Sequence, residues 1–181
     1  MGNPIAEKLK NYRDENLLTN SDLSKVLGTH SSNIVKYIHS DIAMTSGFYN
    51  KLKKCLGIEV SEDTLKKYIF KGLDSYAGLE CLVKASCIIK SKVFCKWMKD
   101  IKIRSCLTYR DLDEVISSAN YYRYASGQAV PSYAVIRRLL SSPDLDVVAP
   151  LKVTDALFDE IQNIHDEGTL LKLMNLVCLG S

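Results

Sequence analysis

A stretch of six residues occurs twice in this 181-residue chain. Leu18-Thr19-Asn20-Ser21-Asp22-Leu23 returns as Leu107-Thr108-Tyr109-Arg110-Asp111-Leu112, an offset of 89 positions (107 against 18). Leucine, threonine, aspartate and leucine keep their spacing, and Val26-Leu27 answers to Val115-Ile116. Further on, Lys36-Tyr37 and Thr45 answer to Arg123-Tyr124 and Ser132 at an offset of 87, so the second copy is two residues shorter between Ile116 and Arg123. A self-match of this kind narrows the fold to one supersecondary unit used twice.

Apolar spacing gives the unit its shape. Ile5, Leu9 and Tyr12 recur at helical intervals and predict a helix over 5–15. Thr19 caps a second helix, with Asp22 three residues on in a near capping-box arrangement. That helix runs to Leu27 and buries Leu23, Val26 and Leu27. Gly28 turns the chain without a steric penalty. His30 or Ser31 caps a third helix through Ile38, with Ile34 and Ile38 facing the core. From Thr45 a fourth helix turns Phe48, Leu52, Cys55 and Leu56 inward and stops at Gly57.

The second copy reads alike. Phe94, Met98 and Ile101 take the places of Ile5, Leu9 and Tyr12, and Thr108 with Asp111 repeats the cap. The turn is clipped to Ser117-Ser118-Ala119 and has no glycine. A helix over 120–126 follows, in which Tyr121 takes the inward place of Ile34. Val135, Ile136, Leu139 and Leu140 pack in the helix capped by Ser132. Each copy is thus expected to be a helix-turn-helix.

Ser31, Ser32, Asn33 and Lys36 are expected to face away from the first core. Short polar donors at a helix start, with a cation a turn later, suit a helix presented end-on to a major groove. Asparagine can bond an adenine edge, and lysine reaches guanine or a phosphate. Ser118, Asn120, Tyr122 and Arg123 form the corresponding set in the second copy, and arginine pairs with guanine in a bidentate way that lysine cannot. Asn20 and Arg110, at the starts of the preceding helices, complete the candidate DNA-binding residues.

Leu18-Thr19, Asp22-Leu23-Ser24, Leu27-Gly28, Ile34 and Thr45 make residues 5–58 similar to the phage-repressor-like (Cro-type) helix-turn-helix family. The resemblance implies five short helices, the last between Ile58 and Phe70, and binding to double-stranded DNA. That family usually carries glycine near Ser40 and proline near Met44; the second copy, with Gly127 and Val130-Pro131-Ser132, has both. Together with Arg123-Tyr124, the second copy also resembles the regulatory helix-turn-helix of archaeal phosphoribosyltransferase-like regulators. No acidic pair before a Thr/Gly-rich diphosphate loop occurs here, so that resemblance implies DNA binding without transferase chemistry.

The expected architecture is all-α. A first helix-turn-helix domain covers 1–60, a helical linker 61–91 and a second helix-turn-helix domain 92–146. A helical tail covers 147–181, with one helix over 154–165 and an apolar run from Leu170 to Leu179. The tail either closes over the second copy's core or forms a seam for homodimerisation.

Charge is uneven: residues 1–60 carry +2, 61–105 +5, 106–150 −1 and 151–181 −3. A basic N-terminal half favours phosphate backbones. The six cysteines form no Cys-x-x-Cys pair and do not cluster with His30, His39 or His165, so they are expected to be small buried hydrophobes in a reducing cytoplasm. No apolar run is long enough to span a membrane, and no catalytic, phosphate-loop or metal constellation appears. The expectation is therefore a cytoplasmic, nucleoid-associated DNA-binding regulator, not an enzyme and without a cofactor. Its two copies would act as a covalent pseudo-dimer on half-sites about one turn (~34 Å) apart. Two alternatives differ in class: a protein-interaction adaptor with a degenerate helix-turn-helix, and a non-specific chromatin-like DNA binder.

Overall fold

The computed structural model describes residues 2–75, 78–106, 108–143, 145 and 151–179; of residues 75, 109, 110 and 151–154 only the backbone is described. Leu107 of the self-match and the side chain of Arg110 lie outside what is described. All regular structure among the described residues is helical, and the chain divides into two compact units. The first comprises residues 1–77 and 164–181, the second residues 78–163. The second unit is thus an insertion within the first.

The first unit contains α1 (Pro4–Glu15), α2 (Asn20–Leu27), α3 (Ser31–His39), α4 (Ser46–Leu56), α5 (Glu62–Ser75) and a closing helix, α12 (Glu167–Leu179). Ile5, Leu9, Leu23, Ile34, Leu52 and Ile69 are completely buried, each contributing roughly 1.5–3 kcal/mol by removal from water. The start of α1 is fixed by Asn3, whose side-chain carbonyl accepts from the Ile5 and Ala6 amides at 2.9 and 3.3 Å. Tyr49, rather than Cys55, fills the interior position of α4. Its buried hydroxyl accepts from the Val60 amide at 2.8 Å, which ties α4 to the approach to α5.

The second unit contains α6 (Leu79–Ile89), α7 (Val93–Arg104), α8 (Tyr109–Leu112), α9 (Ser118–Ala125), α10 (Tyr133–Ser141) and α11 (Leu151–Gln162). Its core gathers Phe94, Trp97, Met98, Leu112, Tyr121 and Ile136. Phe94 and Trp97 meet edge to face at 5.9 Å, a favoured aromatic geometry.

Several expectations change. The region 61–91 is not a separate linker: Leu65, Ile69 and Leu73 bury α5 in the first unit, whereas Val83 joins the second core. The apolar run of the tail, expected over the second copy's core or as a dimer seam, belongs to the first unit. In the first unit α12 packs along α5 and buries Leu170, Leu171, Leu173, Met174 and Val177. Gly72 makes the approach possible, because a Cβ there would sit 2.7 Å from Val177 Cβ. Asn175 locks the helix to the loop before α4: its carboxamide accepts from the Met44 amide and donates to the Met44 carbonyl, both at 2.9 Å. Lys53 pairs with Glu167 at 2.7 Å.

The helix expected over 154–165 is displaced to 151–162. Val26 is 51% exposed, since it lies about 80° from the midline of Leu23 and Leu27 on a two-turn helix. Leu140 is also exposed. None of the cysteines is fully buried: Cys55, Cys87 and Cys106 are exposed, the others intermediate, and all six remain thiols. On α4 the larger Phe48, Tyr49 and Leu52 take the interior in place of Cys55.

Candidate nucleic-acid interface

The surface of interest is built on α2, its turn and α3. Thr19 donates its amide to Asp22 Oδ2 at 3.0 Å, and Asp22 returns its amide to Thr19 Oγ1 at 3.2 Å. This reciprocal cap satisfies two amides that the helix start leaves over and so stabilises it. The threonine hydroxyl also holds the Asp22 carboxyl below its ordinary pKa. Gly28 ends α2 at φ 56°, the left-handed region, and the chain turns directly into α3. Lys51 closes the same end from α4, its ammonium donating to the Leu27 carbonyl at 3.2 Å.

Ile34 anchors α3 with no exposed surface, and Tyr37 stacks on Phe48 with ring centres 3.8 Å apart. The opposite side is an exposed arc. At the helical step of about 100° per residue, Ser31, Val35, His39, Ser32 and Lys36 follow one another around it. Of the candidates on this helix, Ser31, Ser32 and Lys36 lie on the arc, while Asn33 lies at its edge and is half-buried. Val35 and His39 belong to the surface as well; the helical step was the signal that could have placed them. His30 occupies the cap position, but neither it nor any other side chain caps α3. Its imidazole leaves the helix start to solvent, against the expectation of a cap. Asn20 is turned inward to Arg13, whose guanidinium donates to Asn20 Oδ1 at 3.2 Å, so it is a bracing residue of α1 and α2.

The second unit repeats the frame. Thr108 and Asp111 form the same reciprocal pair, at 2.7 and 3.4 Å, and Asp111 is likewise held below its ordinary pKa by the threonine. Tyr121 is buried in the place of Ile34, and its hydroxyl donates to the Met98 carbonyl at 3.3 Å. Asn120, Tyr122 and Arg123 are exposed; Ser118 is half-buried. The surroundings differ. Ser117 caps α9, and the Asp113 carboxylate accepts from the Ser118 amide, so an anion already occupies the start of that helix. Where Lys51 closes α2 in the first unit, the second has an open groove of about 540 Å³ lined by Glu114, Arg137, Arg138 and Ser142.

Charge separates the two surfaces further. Residues 17–58 carry five lysines against Asp22 and Asp41, while residues 106–143 carry four arginines against Asp111, Asp113 and Glu114. No group of three or more metal-capable side chains and no helix long and apolar enough to cross a membrane occurs among the described residues. No protein-family model, no curated protein and no solved structure matches this chain.

Proposed function

We propose that the chain is a sequence-specific DNA-binding transcriptional regulator acting at the nucleoid, with α3 as its reading helix. The observation that carries this reading is the exposed arc of α3: small hydroxyls at the helix start, an apolar side chain in the middle and a cation beyond it. Serines let the helix backbone approach base edges closely, and the helix start attracts phosphate through its amides and dipole. Lys36 supplies a charge that reaches guanine or the backbone. The lysine excess over 17–58 adds the long-range attraction that brings a polyanion in.

A second reading holds for the second unit. The Asp113 carboxylate at the start of α9 repels a phosphate from the place where one would dock. That favours a protein-facing role for this copy, such as pairing or contact with the transcription machinery.

The test is selection of bound fragments from genomic DNA at physiological salt, followed by affinity measurements on the recovered duplex. One shared sequence is expected. Lys36→Ala should weaken binding about tenfold and reduce the salt slope by about 1, while Arg123→Ala leaves both unchanged. Loss on Arg123→Ala alone would make the second copy the reader. Binding without enrichment would establish the non-specific alternative, and no binding even at low salt would leave the adaptor.

A further inference from the structure

We propose that Val35 is a specificity-determining residue that selects thymine through its 5-methyl group; this rests on the DNA-binding reading of α3. An isolated exposed apolar side chain carries no message by itself. Val35 is different in two respects. It is 37% exposed on the arc, between Ser31 and His39, with Ser32 and Lys36 beyond. It also has a counterpart: at the offset of 87 set by Lys36 and Arg123, Val35 falls on Tyr122, which is 54% exposed. Among the exposed large hydrophobics of the described residues, these two alone occupy matched positions. Both copies therefore present an apolar group immediately before a cation, on a helix whose inward position is fixed by Ile34 or Tyr121.

The chemistry follows from what a groove offers. Thymine is the base whose major-groove edge carries a methyl group; the others present donors, acceptors or hydrogen. An isopropyl group gains by covering a methyl and loses by covering an unpaired donor or acceptor. Valine suits the task because its χ1 is fixed on a helix, so contact freezes little side-chain freedom. The neighbouring serines are short enough not to hold the isopropyl group away from the base edge.

The experiment uses the full chain and the duplex recovered by selection, synthesised with thymidine and then with deoxyuridine at each thymine in turn. Deoxyuridine lacks only the 5-methyl group. Affinity is read by fluorescence anisotropy at one salt concentration. At one or two positions deoxyuridine should weaken binding about fourfold, the value of one buried methyl. Val35→Ala, an exposed change to a better helix former, should keep the helical signal in circular dichroism and abolish the thymidine–deoxyuridine difference. A wild-type protein indifferent to deoxyuridine at every position overturns the proposal while DNA binding stands. So does a Val35→Ala protein that still discriminates. If selection enriches no sequence, thymidine and deoxyuridine versions of the random pool are compared, and equal affinity overturns it. Failure to bind any duplex at low salt removes the DNA-binding reading and this inference together.

Discussion

The first unit's α2–α3 and the second unit's α8–α9 keep one frame and fill it differently. Both begin with a threonine–aspartate cap of the same geometry, and both bury the fourth residue of the following helix. In the first, a left-handed glycine makes the turn, and the start of α3 carries no side-chain cap. In the second the turn is closed by Ser117 and Asp113, which place a hydroxyl and a carboxylate at the start of α9. The two units agree in what holds the helices together and differ in what stands at the helix start. Groups that satisfy backbone amides at a helix start are the same groups that compete with a phosphate for them.

The inward position gives the largest test of this comparison. Ile34→Ala removes a fully buried aliphatic group and should cost about 2–5 kcal/mol, read by urea unfolding of the first unit. Tyr121→Phe at the matched place keeps the ring and removes a hydroxyl bonded to the Met98 carbonyl, so about 1 kcal/mol is expected from the second unit. A cost below about 1 kcal/mol for Ile34→Ala would mean that this position does not anchor the first unit as its burial implies.

The turn gives the next effect. Gly28→Ala forces a side chain into the left-handed region at φ 56° and should cost about 1–2 kcal/mol. Asp113→Ala, which removes a carboxylate from the Ser118 amide, should cost about 0.5–1 kcal/mol and make the start of α9 more receptive to anions. Phosphate perturbing the Ser118 amide resonance in the variant and not in the parent would sharpen the contrast.

The smallest effect lies in the feature the copies share. Asp22 and Asp111 have carboxyls held below their ordinary value by their threonines. A depressed carboxylate stabilises the fold above the unfolded pKa and loses that contribution as pH falls through the folded one. Both caps should therefore weaken only below about pH 3.8, and side-chain carbon shifts should titrate in parallel. A normal titration of Asp111 with a depressed Asp22 would break the symmetry.

Much of the frame was legible in sequence because it rests on short-range rules. Thr19 with Asp22, Gly28 and the Ile34 place declare a cap, a turn and a core contact within a few residues of each other. Val26 and Cys55 were misplaced because a two-turn helix has room for few inward side chains, and competition from Leu27 or Tyr49 is decided by neighbours far along the chain. The partner of Asn20 was not legible for the same reason, since Arg13 belongs to another helix. The destination of α12 was illegible: an apolar run states that it will be buried, and Gly72 and Met44, its receivers, lie more than a hundred residues earlier.

That last pairing orders events in time. During synthesis α1 to α5 emerge first, yet the helix that covers α5 follows only after the whole inserted unit has been made. At the usual pace of translation, roughly 5–20 residues per second, the apolar stripe of α5 waits several seconds for its cover. The second unit, continuous in sequence, can fold inside that interval. The partly built first unit is the species that a chaperone would meet, and the arrival of Asn175 at Met44 ends its exposure.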